Sequence, residues 1–352
     1  MRLINKLKVW GGYIVASLVI VSCSGTAADG EATLTLKASK SSIDANGRDN
    51  VTFTVTSSGL DVTKEAEVRC VTTGQVVTEK GFTTSEPKTY IFEASYGDLV
   101  SEQVSVSANE VKQSEFVRKV CLMEFTSISC TFCPEGYRRI EPVLEQYPEQ
   151  LYLLSMHPEY YSGTADPLGI PQTTELEKTF KIGSYPYTLL DMREPADAYS
   201  KNVREALQRS FDEYPAHCGV AVSSVFNESE RKAQVTVKLH SEKETDYRIA
   251  VYVVEDDIIS RQLDKGIWRD DYIHHKVARS IVDGNVNGEK LGKVLAGEEA
   301  MKTWDISLDQ SWNIDNLYIY ALAIDEDGTV NNMNACLVKN GDSGYAKVND
   351  ND

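Results

Sequence analysis

The chain has 352 residues, 25% of them charged and 41% hydrophobic, a globular composition with room for two or three domains of about 100–150 residues each. Thirty-six basic against 53 acidic side chains leave a formal charge of −17. That balance leaves no overall basic surface to neutralise phosphates, so nucleic acid is excluded as a partner. Disorder, collagen and coiled coil are excluded by the same composition.

Arg2, Lys6 and Lys8 precede an apolar run from Tyr13 to Val21. A bilayer takes about 20 apolar residues, so this run is too short to span one and has the length of a signal-peptide core. Ile20-Val21-Ser22-Cys23 then resembles a bacterial lipobox, in which a small residue precedes a cysteine that becomes lipid-modified and N-terminal after cleavage. The reading expects residues 1–22 to be a signal peptide, Cys23 to carry the lipid, and 23–31 to be an acidic tether. Acyl chains would then attach the protein to the outer membrane. Removing residues 1–22 takes away three positive and no negative charges, which leaves −20.

Residues 32–110 alternate at period two, as in Thr33-Leu34-Thr35-Leu36-Lys37, Val51-Thr52-Phe53-Thr54-Val55 and Thr89-Tyr90-Ile91-Phe92-Glu93. Short strands separated by turn signals such as Asn46-Gly47 predict a β-sandwich, and the pattern resembles bacterial immunoglobulin-like modules. From 116 to 217 strand and helix patterns alternate, which predicts an α/β layer structure. Its expected strands are Val120 to Phe125, Leu151 to Met156 and Tyr187 to Met192. Helical spacing covers Cys133 to Gln150, Thr174 to Ile182 and Ala196 to Tyr214. Alternation returns after Cys218, in Ala233 to Leu239, Arg248 to Val254 and Leu317 to Ile324, and predicts a C-terminal β-sandwich over 218–345. The fold class is thus multidomain, an α/β unit between two all-β units.

An exported chain meets oxidising conditions, yet Cys70, Cys121, Cys130, Cys133, Cys218 and Cys336 are too scattered to read as a disulfide framework. Only Cys130 and Cys133 are close; the others read as buried thiols, with a Cys218–Cys336 bridge left open. Val120 to Phe125 runs through Thr126-Ser127-Ile128-Ser129 into Cys130-Thr131-Phe132-Cys133-Pro134, which puts CxxC where a strand meets a helix. There, free backbone N–H groups and the helix dipole stabilise a thiolate and lower a thiol pKa from about 8.5 to as little as 3.5–7. Cys130 would attack and Cys133 would resolve the mixed disulfide. Half a zinc site is the competing reading, and no second cysteine pair completes it.

Two further strings resemble thioredoxins. Glu124 lies six residues before Cys130, where thioredoxins carry a buried carboxylate, and Phe125 follows it as an aromatic does there. A buried carboxyl with a raised pKa could supply or take the resolving thiol's proton. Tyr185-Pro186-Tyr187-Thr188 resembles the thioredoxin element whose cis-proline faces the disulfide, so Pro186 is the candidate substrate platform. The insertion from Pro158 to Thr174 is placed to form a loop over the site. The disulfide is itself the redox group, so no cofactor is called for.

Together the lipobox, Glu124-Phe125-Thr126 before CxxC-Pro, the Tyr185-Pro186 element, and Ile273-His274-His275-Lys276-Val277-Ala278-Arg279 in an all-β C-terminal part resemble the outer membrane protein 28-related lipoproteins of Bacteroides-type bacteria. The resemblance covers about residues 117–340 and implies a thioredoxin-like central domain and an envelope location. Thr131-Phe132 stands where thioredoxins have Gly-Pro, and His275 where the family string has Asn.

Other strings carry less. His274 and His275 are adjacent, and in a strand would point to opposite faces, against a shared metal. Asp325-Glu326-Asp327-Gly328 reads as a solvated hairpin turn, because the bidentate Glu of a calcium loop is missing. His157 follows the second α/β strand, as a possible companion to Cys130. Two functions follow: thiol–disulfide exchange on exported proteins, or a surface-exposed, adhesin-like lipoprotein that binds an unknown ligand and uses the disulfide as a staple.

Overall fold

Alternation at period two builds the first unit. The computed structural model describes residues 33–78, 81–110, 113–197 and 203–348. The expected signal peptide, Cys23 and the tether lie outside them. Within Met1–Lys112, one sheet joins Leu34–Ala38, Phe53–Ser57 and Leu60–Asp61, and a five-stranded sheet contains Ser42–Asp44, Val104–Asn109, Thr89–Tyr96 and Glu67–Cys70. Leu34, Leu36, Phe53 and Val55 from the first sheet meet Tyr90, Phe92 and Val106 from the second in one core. Phe53 and Phe92 are 4.5 Å apart, centroid to centroid.

The second unit is Gln113–Asp352. Its elements are β1 (Val120–Phe125), α1 (Cys133–Gln146), β2 (Leu151–Met156), α2 (Pro171–Phe180), β3 (Tyr187–Leu190), β4 (Glu194–Ala196), α3 (Val203–Glu213), β5 (Cys218–Asn227), β6 (Lys232–Ser241), β7 (Thr245–Glu255), β8 (Ile258–Asp264), β9 (Ile267–His274), β10 (Val277–Ile281), β11 (Glu289–Val294), β12 (Glu299–Ser307), β13 (Leu317–Ile324) and β14 (Val330–Leu337). The main sheet runs β4-β3-β1-β2-β10-β7-β13-β14, with β11 also paired to β7. β1 and β2 are parallel, Leu151 opposite Val120, and β3 is antiparallel to β1.

The boundary expected at Cys218 therefore separates no two bodies. Strands from both sides of it share one sheet, joined where Ser155 of β2 pairs with Val277 of β10. The Ser155 hydroxyl reinforces the join by donating to the His275 carbonyl at 2.7 Å. The physical reason lies in β7 and β13. Ile249, Val251 and Val253 with Ile319 and Ala321 face a core shared with the three-stranded sheet β5-β6-β12. Ala250, Tyr252 and Val254 with Tyr320 and Leu322 face the opposite core, which also takes Met123, Phe125, Leu154 and Met156. Strands apolar on both faces need cover on both.

Several boundaries differ from the sequence reading for local reasons. α1 stops at Gln146 instead of Gln150 because Pro148 disfavours helical geometry at Tyr147. α2 starts earlier, with Pro171 in its first turn, and ends at Lys181 in the left-handed region. β3 stops at Leu190 because Asp191 and Met192 both have positive φ. Glu194–Ala196 pairs with β3 instead of opening a helix. Cys70, Cys121, Cys218 and Cys336 are buried free thiols, so the bridge left open between Cys218 and Cys336 is not formed. Asp325 to Thr329 makes the turn between β13 and β14, the Asp325 N–H donating to the Thr329 carbonyl at 2.9 Å. Among the described residues no helix is long and apolar enough to cross a membrane.

Candidate functional site

β1 is buried along its whole length, and its alternation decides what lies under the CxxC loop. Val120 and Leu122 pack with Ile140 and Val143 of α1 and with Leu207 of α3. Glu124 continues that row, so a carboxyl occupies the next position beneath the start of α1. It is 2% exposed, and its Oε1 has no hydrogen-bond partner. Burial pushes its pKa up to about 8, with His275 opposing.

Cys130 and Cys133 form a disulfide, Cα atoms 5.4 Å apart. The loop before α1 is tight: Cys130 N–H donates to the Ser127 carbonyl at 3.0 Å, and Cys133 N–H to the Cys130 carbonyl at 3.3 Å. Phe132 is the N-cap and Pro134, which has no N–H to leave unpaired, lies in the first turn, so the disulfide sits at the N-terminal end of α1. The Tyr185–Pro186 peptide is cis. Pro186 lies against α1 at Gly136, where a Cβ would stand 2.9 Å from the proline Cγ and 3.8 Å from Glu124 Oε1. Gly136 is the residue that lets proline and helix approach. Sequence reading missed it, although a glycine near the start of an otherwise regular helix is a signal for close packing.

A cavity of about 20 Å³ lies beneath the disulfide, with Glu124, Cys133, Tyr137, His157, Tyr272 and His274 in its wall. His157, 1% exposed on its side chain, places Nδ1 2.9 Å from Asp166 Oδ2. That carboxylate also accepts the Ile128 N–H at 2.9 Å and the Leu168 N–H at 3.0 Å. Burial raises the Asp166 pKa, but the His157 ring beside it and these hydrogen bonds outweigh it and hold the carboxyl down to about 2. His274 ends β9, with its ring centroid 5.5 Å from that of His157. His275 follows in the break before β10 and stacks on Tyr137. The two histidines expected on opposite faces thus both line the cavity, because Lys276 has positive φ and the strand does not run through them.

Two segments cover the CxxC loop. From the β8–β9 hairpin, the Gln262 side-chain amide donates to the carbonyls of Ser127 (3.2 Å) and Cys130 (3.0 Å), Leu263 N–H donates to Ile128 O (2.7 Å), and Gly266 N–H to Thr131 Oγ1 (2.7 Å). Arg138 of α1 pairs with Asp264 at 3.3 Å. From the Pro158–Thr174 insertion, the Tyr161 carbonyl accepts the Ser129 hydroxyl at 3.1 Å, and the Tyr161 ring stacks on Tyr185 at 4.5 Å. Cys130 is left 3% exposed and Cys133 2%, while Phe132 between them is 64% exposed. Gln262→Ala removes two hydrogen bonds onto the loop, each worth about 1 kcal/mol. Reduction of the disulfide by a small phosphine is expected to become roughly tenfold faster, followed by thiol appearance. An unchanged rate would show that the hairpin does not control access.

Asp256, Asp257 and His275 bring three ligand atoms within 4.8 Å of one another. The Lys276 ammonium sits 2.5 Å from Asp256 and already neutralises part of that cluster.

Sequence comparison reaches this region from its C-terminal side. Residues 173–341 match the family model of outer membrane protein Omp28. The Omp28 match takes in Pro186, Gln262, His274 and His275 and leaves Glu124 and the CxxC loop ahead of it. The outer membrane protein 28 resemblance read from the sequence is thereby supported over that part of the chain. No curated protein matches. Among solved structures, HBP35 of Porphyromonas gingivalis is similar with a TM-score of 0.54 at 18% identity, over 64% of this chain and 77% of that one. That likeness shows a shared fold. A protein from Agrobacterium tumefaciens aligns over 64% of this chain and 97% of its own, at 14% identity and a TM-score of 0.42.

Proposed function

We propose that this protein is an outer-membrane lipoprotein, anchored through Cys23, whose Cys130–Cys133 pair exchanges disulfides with exported proteins. Cys130 is the nucleophile, Cys133 the resolver, Glu124 the proton relay and Pro186 the platform for substrate backbone. The observation that carries the reading is Glu124, a buried carboxyl that lines the same cavity as Cys133. A disulfide that merely staples a helix needs no buried acid beneath it, and an unpartnered buried carboxyl is costly. The parallel β1–β2 pair joined through α1, the antiparallel β3 and the cis-proline at Gly136 support a thioredoxin-like arrangement around it.

One observation favours a second reading. Cys130 is nearly inaccessible, and a groove of about 590 Å³ opens elsewhere in this unit, lined in part by Tyr137, Tyr152, Tyr318, Glu149 and Lys276. Small-molecule sites have about that volume, around 300–1,000 Å³. On this reading the protein binds a surface ligand and the disulfide is structural.

The reduction potential separates the two. Equilibration in graded glutathione buffers, with alkylation of Cys130 followed against pH, is expected to give a potential between about −120 and −270 mV and a thiol pKa well below 8.5. A bridge below about −300 mV with an ordinary thiol would make the cysteines structural.

A further inference from the structure

We propose that His157, oriented by Asp166, takes the proton of the Cys133 thiol through one water held in the cavity beneath the disulfide. This role rests on the exchange reading above. Among the buried polar atoms without a hydrogen-bond partner are Glu124 Oε1, His157 Nε2 and His274 Nε2, and all three of these residues line the same cavity as Cys133. One such atom is a local cost; three in one cavity make a site for a polar occupant. At about 20 Å³ the cavity has room for one water, and buried waters make about three hydrogen bonds.

A metal fits less well. Among the described residues, the His/Cys/Asp/Glu group whose ligand atoms lie within 4.8 Å of one another is Asp256, Asp257 and His275, and no such group forms around His157. Zinc ligands at about 2.0–2.2 Å need closer convergence than that. Hydrogen bonds of about 2.7–3.2 Å to a shared water do not.

Asp166 decides which nitrogen of His157 is available. Its carboxylate can only accept from Nδ1, 2.9 Å away, so in the neutral imidazole the proton sits on Nδ1 and the unpartnered Nε2 carries the lone pair. Glu124 faces the same space with its proton retained, so the two groups divide the work: Glu124 donates and His157 accepts. The other titratable groups around the cavity are Tyr137 of α1, Tyr272 and His274 of β9, and His275. Ser155 and Gln262 add neutral polar groups from β2 and β8.

The step balances as follows. Cys130 is joined to a substrate cysteine in a mixed disulfide. The Cys133 S–H bond breaks and its proton passes through the water to His157 Nε2. The Cys133 sulfur forms a bond to Cys130 Sγ, and the bond from Cys130 to the substrate sulfur breaks. The substrate sulfur leaves with the electron pair as a thiolate and is protonated from Glu124. The protein dithiol has been oxidised by two electrons and the substrate disulfide reduced.

The test uses the reduced full-length protein and an aryl disulfide reagent, 5,5′-dithiobis(2-nitrobenzoate). Release of the first thionitrobenzoate reports attack by Cys130, and release of the second reports closure by Cys133. His157→Gln is expected to slow the second release on the order of 10²-fold, within the range of general base catalysis. The first should stay within about twofold. A folded His157→Gln protein, judged by near-ultraviolet circular dichroism, whose second release matches the unmodified protein overturns the role. If that variant does not fold, the Glu124→Gln background decides instead. The second release of Glu124→Gln is expected to slow a further 10-fold or more when His157→Gln is added to it, within the range of general base catalysis; a double variant that releases as fast as Glu124→Gln alone overturns the proposal. A disulfide in the unmodified protein that glutathione leaves intact overturns the exchange reading and this role together, whereas an exchanging protein with unaltered second release overturns the role alone.

Discussion

Glu124→Gln is expected to stabilise the protein increasingly as pH rises. In the folded state burial keeps the Glu124 proton bound to about pH 8, while the unfolded chain releases it near its ordinary value of 4.5. Between those values the native state holds more protons than the unfolded state, so native stability falls as pH rises. The contribution is fully present below pH 4.5 and is lost as pH passes through about 8. At about 1.4 kcal/mol per pH unit the whole effect is on the order of 5 kcal/mol. Glutamine has nearly the same shape and carries no charge, so it escapes this loss. Urea unfolding of both proteins at pH 5, 7 and 9 isolates the difference, because every other titrating group is shared. Parallel stability curves would show that Glu124 is solvated in the folded protein and would remove its claim to a proton-transfer role.

Arg118→Ala carries the second large effect, an expected loss of about 3–5 kcal/mol. Arg118 is 8% exposed and its guanidinium donates to Asp191 Oδ2 at 2.6 Å and to the Tyr214 carbonyl at 2.9 Å. Asp191, fully enclosed, uses its other oxygen to accept the Cys121 N–H at 2.9 Å. Burial raises the Asp191 pKa against the pull of Arg118, so removing the guanidinium leaves an uncompensated buried carboxylate beside β1. Chemical denaturation at neutral pH measures the loss. The double change Arg118→Met with Asp191→Asn is expected to recover part of it, since replacing both partners removes the charge as well as its pair. A single variant as stable as the unmodified protein would mean that water reaches Asp191.

The site was partly legible in the residue order, and the reason is one of distance along the chain. Cys130, Cys133 and Glu124 lie within ten positions, so strand periodicity and the strand-to-helix junction are enough to place a carboxyl under a CxxC loop. Pro186 required a resemblance, because nothing in a lone Tyr-Pro says which isomer it adopts or that Gly136 stands opposite it. The Asp166 contact to His157 was hidden in the Pro158–Thr174 insertion, which has no regular period. As neighbours in a continuous strand, His274 and His275 would point in opposite directions. The break at Lys276, a residue with positive φ and no glycine to announce it, lets both line the cavity that Glu124 also lines.

Local chemistry in the sequence determined the strands of the first unit, the β1–α1–β2 core and the cysteine pair at its junction, because periods of two and 3.6 residues are written within a few turns of chain. Tertiary structure alone decided that β10, β7, β13 and β14 extend the same sheet, that Gln262 holds the carbonyl of Cys130 from 132 positions away, and that His157 shares one cavity with Glu124, His274 and His275. Those outcomes depend on covering both faces of strands such as Ile249 to Val254, a requirement that names no partner until the chain has folded.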